Sequence, residues 1–123
     1  MKRSYLLQNN MSLSAEKQSP RDFKIEEQIK EVAAHVIERE SNKTALITIT
    51  RVELFEKGRK AMIFISVLPE AGEESAMNFL KRKRRDMRTE IKQHLNVRTI
   101  PFLDVEIDLG EKASRRIDEL LKQ

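Results

Sequence analysis

Apolar residues between Phe23 and Val36 fall at helical spacing. Phe23, Ile25, Ile29, Val32 and Val36 recur with Lys, Glu and Gln between them, which predicts a helix over residues 20–39. Ser19 is placed to cap it, Pro20 sits in the first turn, and Ser41 to Lys43 end it. Residues 45–54 and 60–68 then alternate at the period of a strand, with Ala61, Ile63, Ile65 and Val67 on one face. Phe55 to Arg59 between them is a five-residue loop with one glycine, the signature of a hairpin. Pro69 stops the second strand.

Gly72 to Ser75 open a long helix whose acids sit at the positive end of the helix dipole. Its apolar stripe runs Met77, Leu80, Met87, Ile91 and Leu95. Arg84 interrupts that stripe, four residues after Leu80 and three before Met87. A straight helix would aim its guanidinium at the core, so the spacing predicts a kink, a break or a snorkelled side chain. Asn96 is a suitable stop. Pro101 introduces a third strand over 102–109, with Leu103, Val105, Ile107 and Leu109 on one side. Phe102, Asp104, Glu106 and Asp108 lie on the other. Gly110 turns the chain into a short final helix with Ile117, Leu120 and Leu121 inward. The pattern is that of an α+β domain with helices on one face of a small sheet.

The 123 residues fit one domain, here residues 20–123, preceded by a polar segment over 1–19 with no apolar period. That segment fits a disordered tail. Its apolar stub, Tyr5 to Leu7, is too short for a secretory signal. Residues 1–15 contain no acid, which leaves an organelle transit peptide as the alternative. The longest apolar run, Met62 to Leu68, is interrupted by Ser66 and is far short of the roughly 20 residues of a membrane span. There is no cysteine, so disulfides and thiolate metal sites are excluded. These features predict a cytoplasmic protein that does not engage a membrane.

Net charge is +4, but its distribution is uneven. Lys81, Arg82, Lys83, Arg84, Arg85, Arg88 and Lys92, set against only Asp86 and Glu90, give the window 81–92 a charge of +5. The remaining 111 residues sum to −1. A charge run is usually a solvated helix face. This one includes the packing-adverse Arg84 and has too few acids to compensate it, whereas a solubilising helix mixes signs at i,i+4 spacing. Seven cations over about 17 Å of helix suit the phosphate oxygens of a nucleic acid, and these seven are the candidate RNA-binding residues.

Chemistry for catalysis is sparse. His94 lies in a last helical turn, where a cation is favoured, and His35 borders the apolar face of the first helix. Gly58, Gly72 and Gly110 are too scattered to cradle a phosphate, and no serine sits in a nucleophile elbow. Asp104, Glu106 and Asp108 share one side of a strand, but alternate strand residues stand about 7 Å apart, wide for one magnesium ion. A solvated strand face explains them better. The chain reads as a non-enzyme with no cofactor, no metal and no small-molecule substrate. Its six Phe and Tyr residues are scattered, and the acids of the third strand would repel RNA from that part of the sheet. Binding through the helical side, by backbone contacts, is the expectation.

Five segments together resemble the ribosome-binding factor A family. They are Ala45 to Glu53, Ala61 to Leu68, Met87-Arg88, Arg98 to Asp108, and Arg116-Ile117 with Leu120-Leu121. The likeness spans residues 20–122 and lies in the order and spacing of the segments, since no single one is diagnostic. It implies a KH-like fold of bacterial type II topology, with element order α-β-β-α(kinked)-β-α and a three-stranded sheet. It also implies a monomer that binds 16S rRNA in the immature 30S subunit, near the neck. There it would assist late maturation around the 5′ terminal helix without nucleotide or metal, most importantly in the cold. In that family the GXXG loop of KH domains gives way to a kinked helix bearing an alanine and, two residues on, a glycine. Counting back from Arg88, those positions are Lys83 and Arg85, a departure that bears on the geometry of the kink and on which side chains reach RNA. The rivals to this reading are a generic KH-like RNA-binding module acting on other transcripts and a protein–protein adaptor that docks its basic helix on an acidic partner.

Overall fold

One strand carries two phases of alternation, and that slip decides how the sheet sits. In β1 (Leu46–Phe55) Ile47 and Ile49 point to the helices, as do Val52 and Leu54, three and five residues after Ile49. Strict alternation would bury Arg51 and Glu53 instead. The computed structural model, which describes residues 20–95 and 98–122, shows the slip absorbed by a bulge. Ile49 pairs with Ile65 and Arg51 with Phe64, leaving Thr50 as the extra residue. The freed Thr50 hydroxyl donates to Asp108 at 2.5 Å and lies 3.2 Å from the Phe64 carbonyl.

β2 (Lys60–Leu68) is the central strand, antiparallel to β1 and parallel to β3 (Phe102–Ile107), so the sheet order is β1-β2-β3. Its inward residues Ala61, Ile63, Ile65 and Val67 are all buried, as predicted. The hairpin loop is one residue shorter than expected, because Phe55 still pairs with Lys60. Glu56, Lys57 and Gly58 then take positive φ in succession, a conformation that costs a non-glycine residue energy.

α1 (Pro20–Glu40) buries Ile29, Val32, Ala33 and Val36 against the sheet. Phe23, expected on that stripe, is 58 % exposed, and packing against the core begins at Ile25. Glu26 is buried and accepts the Leu54 backbone N–H at 2.9 Å, anchoring the helix to the edge strand.

After a 3₁₀ turn (Glu70–Gly72) come α2 (Glu73–Arg82) and α3 (Arg84–His94), separated by Lys83 alone. Leu80, Met87, Ile91 and Leu95 enter the core as predicted; Ala76 is buried ahead of Met77, which packs only partly. Three predicted details of the third strand and last helix are corrected. β3 ends at Ile107, and Asp108 is the cap of α4 (Leu109–Leu121), its Oδ1 accepting the Glu111 N–H at 3.0 Å. Leu109 is therefore a helix residue, 72 % exposed rather than buried in the strand. Ile117, Leu120 and Leu121 also face outward, and α4 buries none of its residues. It is held by charge instead: Lys112 to Glu73 at 3.0 Å and Arg116 to Glu70 at 3.1 Å. The sequence turns α4's cationic side to the 3₁₀ turn and the start of α2, and its apolar side away from them.

The result is an α+β domain of KH-like architecture, a three-stranded mixed sheet with α1, α2 and α3 on one face. The tail over 1–19, the cap at Ser19 and the stop at Asn96 lie outside the described residues. Among those described, no helix is long and apolar enough to cross a membrane.

Candidate nucleic-acid interface

The break falls at Lys83, one residue before the arginine that spoiled the stripe. Lys83 adopts φ −92°, ψ 2°, a conformation open to any L-residue. Its N–H is shared between the carbonyls of Phe79 at 3.2 Å and Leu80 at 3.1 Å. Neither Lys83 nor Arg85 has positive φ, so nothing in the backbone demands the alanine and glycine that the family pattern carries there. Arg84 stays out of the core and is partly exposed. Its Nε donates to the Lys81 carbonyl at 3.2 Å and its Nη1 lies 3.5 Å from Asp104.

The seven cations do not form one surface. Lys83 turns toward α1, where its ammonium sits 2.7 Å from Glu40. That contact, with Arg39 beside it, holds the Glu40 carboxyl below the ordinary carboxylate range. Arg82 lies on the same side, against a small hollow shared with Glu40, Asn42 and Thr44. Arg84, Arg85 and Arg88 line the other side, together with Lys60 of β2 and Asp104 of β3. Arg85, Arg88 and Lys92 share one stripe of α3, at i, i+3 and i+7.

Arg88 is committed to the fold. Its Nε donates to the Pro101 carbonyl at 2.9 Å and its Nη2 to the Ile100 carbonyl at 3.0 Å, tying α3 to the entry of β3. Lys81, Arg82, Arg85 and Lys92 are exposed and form no ion pair with a described residue. Of the seven candidates, these four are available to an external anion.

Aromatic residues that look scattered in the sequence are gathered by the sheet register. Phe55 pairs with Lys60, and Lys60 with Phe102, so the three form one row across the strands. Phe55 is 41 % and Phe102 66 % exposed. Both line the cleft of about 610 Å³ walled by Arg84, Arg85 and Arg88, with Met62 beside them. Phe102 stands at an outward phase next to Pro101, and pairing β3 onto β2 in parallel is the step that exposes its relation to Phe55.

The three strand carboxylates do not converge. Asp104 faces Arg84, whereas Asp108 is buried beneath Thr50, Arg51 and the start of α4. Burial pushes the Asp108 carboxyl up, but hydrogen bonds from Thr50 and the Glu111 N–H, with the Arg51 charge, bring it below its usual value. Among the described residues no group of three or more His, Asp or Glu side chains could hold a metal ion. His35 is exposed, and His94 Nδ1 lies 2.8 Å from the Glu90 carbonyl within its own helix.

Residues 21–121 match the family description of ribosome-binding factor A. A ribosome-binding factor A from Thermodesulfovibrio yellowstonii is 31 % identical over 99 residues, covering 80 % of this chain and 82 % of the relative. One from Heliobacterium modesticaldum is 30 % identical over 101 residues, covering 76 % and 84 %. The crystal structure of ribosome-binding factor A from Thermus thermophilus superposes with a TM-score of 0.62 at 23 % identity, covering 70 % of this chain and 94 % of that one. A Thermus thermophilus homology model fitted into a cryo-EM map of a complex of that factor with the 30S subunit gives a TM-score of 0.58 at 23 % identity, with coverage of 69 % and 92 %. Sequence and fold agree, and the chain belongs to the ribosome-binding factor A family.

Proposed function

We propose that this protein binds 16S rRNA in the immature 30S subunit as a monomer in the cytoplasm and assists late maturation of that subunit. It acts by charge and shape, without catalysis or a cofactor. Family membership supports the ribosomal target, as does the fitting of a Thermus thermophilus relative into a 30S complex. The observation that carries the reading is the set of exposed cations Lys81, Arg82, Arg85 and Lys92, which flank a helix break and form no ion pair with a described carboxylate. Lysine and arginine in that state release counterions from the phosphate chain when they bind. Lys83, Arg84 and Arg88 hold the two helices that carry these cations, through Glu40, Asp104 and the carbonyls before β3.

The test is cosedimentation in a cell lysate. The protein is expected on free small subunits and absent from translating ribosomes, and Arg85→Glu with Lys92→Glu is expected to release it. Nuclease treatment should abolish the association. An association that survives loss of RNA would favour an acidic protein partner, and one spread over unrelated transcripts a generic RNA-binding module.

A further inference from the structure

The cleft beside the helix break combines two properties that phosphate binding alone does not require. Its cations stand beside two exposed aromatic rings, and one of those rings lies under a guanidinium that is itself fixed. Arg88, fixed by its two carbonyl contacts, lies 4.5 Å from the centroid of Phe102. A guanidinium on one face leaves the other face of the ring available, and Phe102 remains 66 % exposed at the first position of β3. Phe55, two strands away in the same row, and Met62 extend the apolar floor. Leaving two phenylalanines in water forgoes favourable burial, so this floor suits a flat apolar group brought by a ligand. Along the cleft Arg84 is paired with Asp104 and Lys60 with Glu56, which leaves Arg85 and Arg88 as charges with no carboxylate partner among the described residues, so that ligand should also be anionic. About 610 Å³ lies within the range of pockets that enclose a small ligand.

We propose that this cleft is a base-stacking subsite. One unstacked base of a single-stranded RNA segment lies on the free face of Phe102, and Arg85 holds an adjoining phosphate. The proposal rests on the RNA-binding reading above and adds what part of the RNA is recognised. Stacking on an aromatic ring is tolerant of sequence but needs a base out of its duplex. The cleft therefore selects strand state rather than sequence, and the factor would favour rRNA whose local helix has not yet closed.

The chain contains no tryptophan, so Phe102→Trp places a single indole reporter in the cleft of the full-length protein. Titration with a short oligoadenylate should quench its fluorescence, and a blunt RNA duplex of equal length should not. Phe102→Ala should weaken oligoadenylate binding about 5- to 150-fold, the range for loss of one base–aromatic stack, and leave the salt dependence unchanged. Phe102→Leu keeps apolar bulk but removes the ring. It should show a similar loss with an unaltered unfolding midpoint, which separates stacking from folding. Equal losses on duplex and single strand, or unchanged affinity in both Phe102 variants, would overturn the stacking subsite. If Arg85→Glu with Lys92→Glu weakens binding while the Phe102 variants do not, the RNA-binding reading stands and this inference alone falls. If neither set matters, both fall.

Discussion

Lys83 reaches from the break between α2 and α3 to Glu40 at the end of α1, with its ammonium 2.7 Å from the carboxylate. The contact joins α1 to the residue at which the second and third helices are interrupted. Both side chains are partly exposed, at 27 % each, so the pair is worth no more than about 1 kcal/mol. Lys83→Ala should therefore lower stability only slightly in urea unfolding. Because its charge is already satisfied, the same variant should weaken RNA binding less than Arg85→Ala does, in a side-by-side titration at fixed salt.

Arg88 should behave in the opposite way. Its guanidinium is donated to the carbonyls of Ile100 and Pro101, and a hydrogen bond from a charged donor contributes about 1.5–3 kcal/mol. Arg88→Ala is expected to destabilise the domain by roughly that amount and to loosen the entry of β3. Hydrogen exchange across residues 98–104 would report the loosening directly. Reversing Arg88 together with Arg84 and Arg85 would confound binding with folding, which makes Arg85 and Lys92 the better pair for reversal.

Much of this domain could be read from its residues, and the failures have specific causes. The inward faces of β2 and of α2–α3 follow from spacing alone, because Ala61, Ile63, Ile65, Val67, Leu80, Met87 and Ile91 have one consistent phase. The break followed from Arg84 occupying a core position. The bulge at Thr50 was missed although the apolar phase slips there, from Ile49 to Val52. Leu109, Ile117, Leu120 and Leu121 have the spacing of a buried stripe, but periodicity does not reveal whether another element covers it. Here Lys112 and Arg116 found acids on the 3₁₀ turn and α2 first. In the candidate site, charge was visible as a run, whereas its division between two sides of the helix pair depends on partners distant in sequence. Phe55 and Phe102 meet only through a parallel pairing that no local pattern specifies.

The outward apolar side of α4 gives a further prediction. Leu120 is 67 % and Leu121 78 % exposed, so replacing both with serine removes little burial and should shift stability by less than about 0.5 kcal/mol. A buried stripe would lose several times more. Thermal unfolding of the double variant separates the two cases.

Asp108 links acid stability to the junction of β3 and α4. Its folded carboxyl titrates below the ordinary value of 3.8, with burial opposed and outweighed by Thr50, the Glu111 N–H and Arg51. A depressed carboxylate contributes stability above its unfolded pKa, and that contribution is lost as pH falls through the folded one. Asp108→Asn retains a capping oxygen but not the charge. The variant should be less stable than the native chain at neutral pH, and the gap should narrow as pH falls below about 4. Urea unfolding at several pH values checks this, and a gap that widens on acidification would contradict it.

On the proposed function, the exposed cations beside the helix break neutralise RNA phosphates. Affinity for purified small-subunit precursors, measured across a salt series, tests it most directly. Four engaged phosphates give a slope of log affinity on log salt near −3 for single-stranded RNA. Replacing Lys81, Arg85 and Lys92 with glutamine should bring it to about −1. A native slope close to zero, or one that the triple replacement leaves unchanged, would rule out phosphate neutralisation by these residues.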